Sequence, residues 1–153
     1  RARGIKLKAN YFALMFAECL AFSLVLGVVL QSILRLGGLS SGGPGSGLMQ
    51  NLALSVGAGL FEEIIFRVIL LNLLFLLLSP LLQKKVVAAV VSVLLASFLF
   101  SLSHYVGTMA DTWQLYSFMF RWAAGLLFTV LYFVRGFAIT AYTHALYDIW
   151  VLV

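Results

Sequence analysis

Five apolar runs, each close to the length of a bilayer crossing, make up most of this chain, at about 11–34, 50–78, 86–105, 113–134 and 137–153. A helix needs roughly 20 apolar residues to traverse hydrocarbon, so each run reads as one span. The second is longer than that, which calls for tilt or for an extension past the bilayer. Hydrocarbon offers no partner to backbone N–H and C=O groups, which leaves only helices or a closed barrel. Barrel strands alternate with a period of two, and these runs do not. The expectation is an all-α, polytopic membrane helical bundle of about five transmembrane helices. It forms a single transmembrane domain over residues 1–153. A fragment of a longer chain is also left open, because the sequence opens on Arg and stops inside an apolar run.

Composition excludes a soluble domain. The chain is 63% hydrophobic and 10% charged, where soluble domains run at about 45–50% and about 25%. The basic start is not a signal peptide, since the run that follows is too long and lacks a small-residue cleavage site. The net charge of +5 does not indicate nucleic acid. Arg1, Arg3, Lys6 and Lys8 precede the first run, Lys84 and Lys85 separate the second from the third, and Arg135 separates the last two. Only Arg35 falls on the other side. That distribution is a topology signal at an anionic membrane face. It predicts an integral protein of the cell (inner) membrane with a cytoplasmic N-terminus, a lipid bilayer as surroundings and no nucleic-acid partner. The single cysteine, Cys19, lies on an apolar run and reads as a packing residue.

The breaks are short. Residues 37–47, GGLSSGGPGSG, have loop composition and lack the GxxxxGK[ST] order of a phosphate cradle. The Arg135–Gly136 break is so tight that the fourth and fifth spans must be antiparallel neighbours.

Against this background the ionisable residues inside the spans stand out: Glu18, Glu62, Glu63, Arg67, His104, Arg121, His144 and Asp148. Charges at membrane depth face a bundle interior or a wet cavity and mark functional sites. Glu63 and Arg67 are four apart and can pair on one helix face. Glu62 is turned about 100° away and stays free. Phe100 and His104, and His144 and Asp148, are also spaced by four. Glu62 and His104 come out at similar depth, about 25 Å from the end of the second run and about 27 Å from the start of the third, while His144 and Asp148 come out shallower, at about 11 and 17 Å from Phe137. Glu18 and Arg121 lie outside these groupings and can pair across spans. The set suits water activation. A carboxylate in a low-dielectric site can act as general base, a histidine beside it can orient the water, and a second polar pair can stabilise an oxyanion. Glu62, His104, His144 and Asp148 supply those parts for peptide-bond hydrolysis, and no serine sits in a GxSxG setting.

Three motifs carry a resemblance. EEIIFR, Glu62 to Arg67, resembles the EExxxR motif of the CAAX prenyl protease type II family, also called the CAAX protease and bacteriocin-processing (ABI) family. FSLSH, Phe100 to His104, is similar to its FxxxH motif, and HALYD, His144 to Asp148, to its HxxxN or HxxxD motif. All three occur in the family's order, each on an apolar run. The resemblance implies an intramembrane protease acting on a membrane-anchored or prenylated peptide or protein. Glu62 and His104 would activate water, His144 and Asp148 would form the oxyanion hole, and Glu63, Arg67 and Phe100 would be structural support. It implies no cofactor. Asp148 stands where Asn is common, and a carboxylate there repels an oxyanion unless it is protonated or orients His144 instead. The same fold also implies an alternative, a non-catalytic membrane scaffold or bacteriocin-immunity protein. Two histidines and two carboxylates leave zinc as a further alternative, on Glu62, His104, His144 and Asp148, although HExxH is absent. A proton or ion pathway is disfavoured by the lack of an inverted repeat.

Overall fold

The computed structural model describes residues 9–36, 48–107 and 110–152. The basic residues 1–8, the whole 37–47 loop, residues 108–109 and Val153 lie outside them. Among the described residues all regular structure is helical. α1 covers Ala9–Leu36. α2 (Leu48–Glu63), a π-helical segment (Ile64–Leu70) and α3 (Leu71–Leu81) follow one another without a break and form a single rod. α4 (Lys85–Ser103), α5 (Leu115–Arg135) and α6 (Phe137–Leu152) complete the bundle. Four stretches are long and apolar enough to cross a membrane: Asn10–Leu30, Ser55–Leu81, Lys85–Ser103 and Leu115–Arg135. The protein is therefore a polytopic α-helical membrane bundle. α6, described over 16 residues, is shorter than these and packs against α1, α2 and α5.

Lipid tails are as apolar as leucine, so helices in a membrane associate through close packing and polar contacts instead of hydrophobic exclusion. The burial pattern fits that rule. Leu14, Phe16, Leu76, Leu81, Val86 and Phe133 face outward, while Ser55, Ser92, Ser97, Ser101, Thr129, Thr140, Thr143, Ala88, Ala96 and Ala145 are buried. Buried hydroxyls reach backbone carbonyls, as in Ser92 to Ala88 (2.7 Å), Ser101 to Phe118 (2.6 Å) and Thr129 to Gly125 (2.8 Å). Two glycines set the helix spacing. A Cβ on Gly59 would lie 2.6 Å from the backbone nitrogen of Ala145, so α2 and α6 touch backbone to backbone. A Cβ on Gly125 would lie 3.1 Å from the Phe100 ring, which brings α5 close to α4.

Two tight turns fix the order of the rods. The α3–α4 turn passes through Gln83 at φ 56°, and the α5–α6 turn through Gly136 at φ 81°. Gly136 N–H donates to Tyr132 O across 2.8 Å, closing α5 with a residue in a backbone region that glycine enters without steric cost. α3 and α4 extend past the α5–α6 turn, because Phe133, near that turn, lines one cavity together with Phe75 and Ala89. Counting from Phe137 therefore understates the depth of α6 residues relative to counting from Lys84, which helps to close the gap expected between His144 and Glu62.

The expected pairing of Glu18 with Arg121 does not form. Glu18 pairs with Arg135, and Arg121 pairs with Asp111 and with the Tyr105 hydroxyl, 3.1 Å away. The reason is position along α5. Arg121 and Arg135 are about 21 Å apart at 1.5 Å per residue, and Glu18 lies at the Arg135 end. Cys19 is buried and its thiol faces Ile139 O.

Candidate active site

The site grows out of the π-helical segment. π-turns inside α-helices are uncommon and frequent at functional positions. Here the wide turn leaves carbonyls poorly aligned for the usual ladder, and Asn72 Nδ2 donates to two of them, Arg67 O (3.2 Å) and Val68 O (2.7 Å). Glu63 stands at the entry to this segment and Arg67 in its middle, both essentially without solvent exposure.

Arg67 Nη1 lies 3.1 Å from Glu63 Oε1, an ion pair by distance. Its directed hydrogen bond runs from Nη2 to Gly125 O, at 3.3 Å. The guanidinium also lies 4.6 Å from the centroid of the Phe100 ring and 5.7 Å from that of Phe128. A buried cation thus meets a carboxylate, a carbonyl and two aromatic faces, which together replace its water shell. Phe100 is a structural hub. It packs edge-on with Phe66 (5.3 Å), His104 (5.1 Å) and His144 (6.0 Å).

Glu63 has a second partner. His144 Nδ1 is 2.8 Å from Glu63 Oε1. A carboxylate accepts, so Nδ1 donates, and the ring's Nε2 is aimed the other way. Phe128 stacks on the imidazole at 4.3 Å between centroids and 23° between planes. His144 is therefore fixed by one hydrogen bond in its plane and one ring across its face. Its Nε2 stands 3.7 Å from Glu62 Oε2 and 3.8 Å from Asp148 Oδ2. Both distances exceed a direct hydrogen bond, so Nε2 stands near two carboxylates without a close bond to either. This corrects one expectation. Asp148 is too far to orient His144, and Glu63 performs that task because the Gly59–Ala145 contact brings α2 and α6 together at that level.

His104 closes the C-terminal end of α4. Its Nδ1 lies 2.9 Å from Phe100 O, and since a carbonyl only accepts, Nδ1 carries the proton of that bond. In a neutral ring the Nε2 then offers a lone pair.

The arrangement unites Glu62, Glu63, Arg67, Phe100, His104, His144 and Asp148 where α2, the π segment, α4 and α6 meet. It also draws in α5, which the spacing argument left out. Phe128 and Gly125 were missed, although Arg121, Gly125 and Phe128 recur along one face of α5. Gly59 was missed too, although Ser55 and Gly59, and Ala141 and Ala145, are small residues four apart. The zinc alternative finds no support in the geometry. Among the described residues no three His, Cys, Asp or Glu side chains form a group able to hold a metal ion, and His144 Nδ1 is committed to Glu63.

The family model described as Type II CAAX prenyl endopeptidase Rce1-like matches residues 44–150. No curated protein and no solved structure matches the chain.

Proposed function

Because the chain belongs to the Rce1-like family of type II CAAX prenyl endopeptidases, we propose that it is an intramembrane endopeptidase that hydrolyses a peptide bond near a membrane-anchored or prenylated C-terminus. The observation that carries this reading is the asymmetry of the two adjacent glutamates. Glu63 is fully buried and bound to Arg67 and His144, whereas Glu62 has a partly open carboxylate 3.7 Å from His144 Nε2, beyond direct hydrogen-bond length. One glutamate builds the site and the other is free to react.

In this mechanism Glu62 takes a proton from a water that His104 Nε2 helps to orient. The hydroxide adds to the scissile carbonyl carbon, and the carbonyl π electrons move onto oxygen. His144, charged and held by Glu63 through Nδ1, donates from Nε2 to that oxyanion. Asp148 lies beside His144, its Oδ2 3.8 Å from Nε2. Collapse breaks the C–N bond, and the proton held by Glu62 passes to the leaving nitrogen, which gives a carboxylic acid and an amine; the acid then passes its proton to the amine. A general base in this position contributes typically 10²–10⁴-fold, and an oxyanion donor about 10²–10³-fold. The sequence's charge distribution supports the cell (inner) membrane as location, with the Lys84–Lys85 turn and the N-terminus cytoplasmic.

The test is cleavage of a lipid-anchored peptide library by purified protein in proteoliposomes, with a chelator in a parallel reaction. The proposal expects cleavage that survives the chelator and drops at least 10²-fold in His104→Ala. Cleavage abolished by the chelator and restored by zinc would overturn the metal-free mechanism. A wild-type protein that cleaves no peptide, yet supports its cellular role as E62Q, would favour the scaffold or immunity alternative.

A further inference from the structure

Arg121 stands beside the site and takes no part in the mechanism above. It lies on the face of α5 that carries Gly125 and Phe128, one turn from Gly125 toward the α4–α5 connection. Gly125 O receives Arg67 and Phe128 stacks on His144, so this face lines the site. The charge of Arg121 also bears on Glu62 and His104.

Tyr105, which directly follows His104, holds the guanidinium in place. Arg121 Nη1 donates to the Tyr105 hydroxyl at 3.1 Å, and the guanidinium carbon lies 5.4 Å from the centre of the Tyr105 ring. Trp113 packs edge-on against that ring at 4.8 Å. Nη2 meets Asp111. Arg67 is walled in by Glu63, Gly125 O and two rings, but the Arg121 pair is open to water. The side chain of Asp111 is 53% exposed and that of Arg121 24%. Ion pairs in contact with water add little to stability, so Arg121 can exchange this carboxylate for another at small cost. His104 O accepts from Asp111 N–H at 2.9 Å, so a single residue spans the distance from His104 to the guanidinium.

In the protease reading, on which this inference rests, the scissile bond lies near a C-terminus. The fragment beyond that bond is short and ends in a free α-carboxylate. Glu62 and Asp148 repel such a charge, and Arg67 is already committed to Glu63. We propose that Arg121 binds the free α-carboxylate of the substrate in place of Asp111. A guanidinium takes a carboxylate as a planar fork, and Asp111 marks the position from within the chain. Arg121 then measures the distance from the chain end to the scissile bond. With His104 only one residue away, the cut falls within a few residues of the C-terminus, each spanning about 3.3–3.6 Å when extended.

The test compares lipid-anchored peptides in proteoliposomes. Two share one sequence, one ending in a free carboxylate and one in a carboxamide; a third is an amidated peptide whose last residue is Asp. A hydrogen-bonded charge pair corresponds to roughly 10–100-fold. Wild-type protein should cleave the acid with a kcat/KM higher by that factor than the amide, and Arg121→Gln should bring the acid-to-amide ratio to about 1. The ratio cancels any general effect of the substitution on the site. Asp111→Asn, at an exposed position, removes the resident competitor and should lower KM for the acid alone, which reads the same contact if the R121Q protein does not fold. A wild-type ratio near 1, a ratio that survives in R121Q, or an unchanged KM for the acid in D111N overturns the role of Arg121 and leaves the protease reading standing. An amidated Asp peptide cleaved as well as the acid overturns the assignment to the α-carboxylate. Wild-type protein that cleaves none of the three overturns the protease reading, and this proposal with it.

Discussion

Adding a single methyl group at Gly59 should disable the site while leaving most of the fold in place. A Cβ at this position would lie 2.6 Å from Ala145 N, 2.8 Å from Ala145 Cα and 2.9 Å from Ala145 Cβ. Relaxed carbon contacts are about 3.5–4.0 Å, so in Gly59→Ala α6 must retreat by roughly 1 Å. Ala145 directly follows His144, whose Nδ1 donates to Glu63 across 2.8 Å. Lengthened by about 1 Å, that contact is no longer a hydrogen bond. Two stability effects oppose each other. Alanine gains about 1 kcal/mol over glycine inside a helix, while overpacking costs about 1–3 kcal/mol. The net loss should be no more than about 2 kcal/mol. Catalysis has no such compensation, and a misplacement of about 1 Å costs on the order of 10²-fold. The assay pairs thermal unfolding in detergent with the rate of cleavage of the lipid-anchored peptide. A second change, Ala145→Gly, removes only the Cβ and leaves the two backbone contacts, so the double variant should not recover. G59A protein that cleaves at the wild-type rate would refute the close-approach argument.

Three further substitutions separate support from chemistry. Arg67→Ala leaves Glu63 buried without its cation and should cost roughly 3–5 kcal/mol, read as a lower unfolding midpoint and lower yield; wild-type stability would show that the pair supports nothing. Phe128→Leu keeps an apolar side chain but removes the ring stacked on His144 at 4.3 Å, so the cleavage rate should fall more than the unfolding midpoint does, and the opposite ranking would make Phe128 a packing residue only. Asp148→Asn should be mild or activating in cleavage, since it removes a negative charge beside the proposed oxyanion while keeping a polar group 3.8 Å from His144 Nε2; a loss as large as that of His104→Ala would give Asp148 a direct proton-transfer role.

The membrane bundle was legible because hydrocarbon leaves so few options to a chain of five apolar runs. The Glu63–Arg67 pair was legible because spacing by four places two residues on one helix face whatever surrounds them. What could not be read was anything decided between helices. Glu18 found Arg135 in place of Arg121 because the pairing depends on which ends of α1 and α5 meet, and residue spacing within one helix carries no such information. His144 is held by Glu63 rather than by Asp148, its neighbour on the same helix, for the same reason. The π segment changes the turn geometry just where the two glutamates stand, and no periodicity in an almost uniformly apolar stretch announces it. Gly59 and Phe128 escaped notice because a glycine and a phenylalanine are ordinary in a membrane helix until a neighbour shows what they touch.

The central claim is that Glu62 is the base and Glu63 the scaffold. It is tested most directly by one comparison, the single-turnover cleavage rates of wild-type, Glu62→Gln and Glu63→Gln proteins in proteoliposomes, each with its unfolding midpoint. Glu62→Gln keeps the shape and removes the base, so it should unfold like wild type and cleave about 10²–10⁴-fold more slowly. Glu63→Gln leaves the Arg67 cation buried without its counter-charge, so it should lower the unfolding midpoint as well as the rate. Full cleavage by the folded E62Q protein would contradict the account.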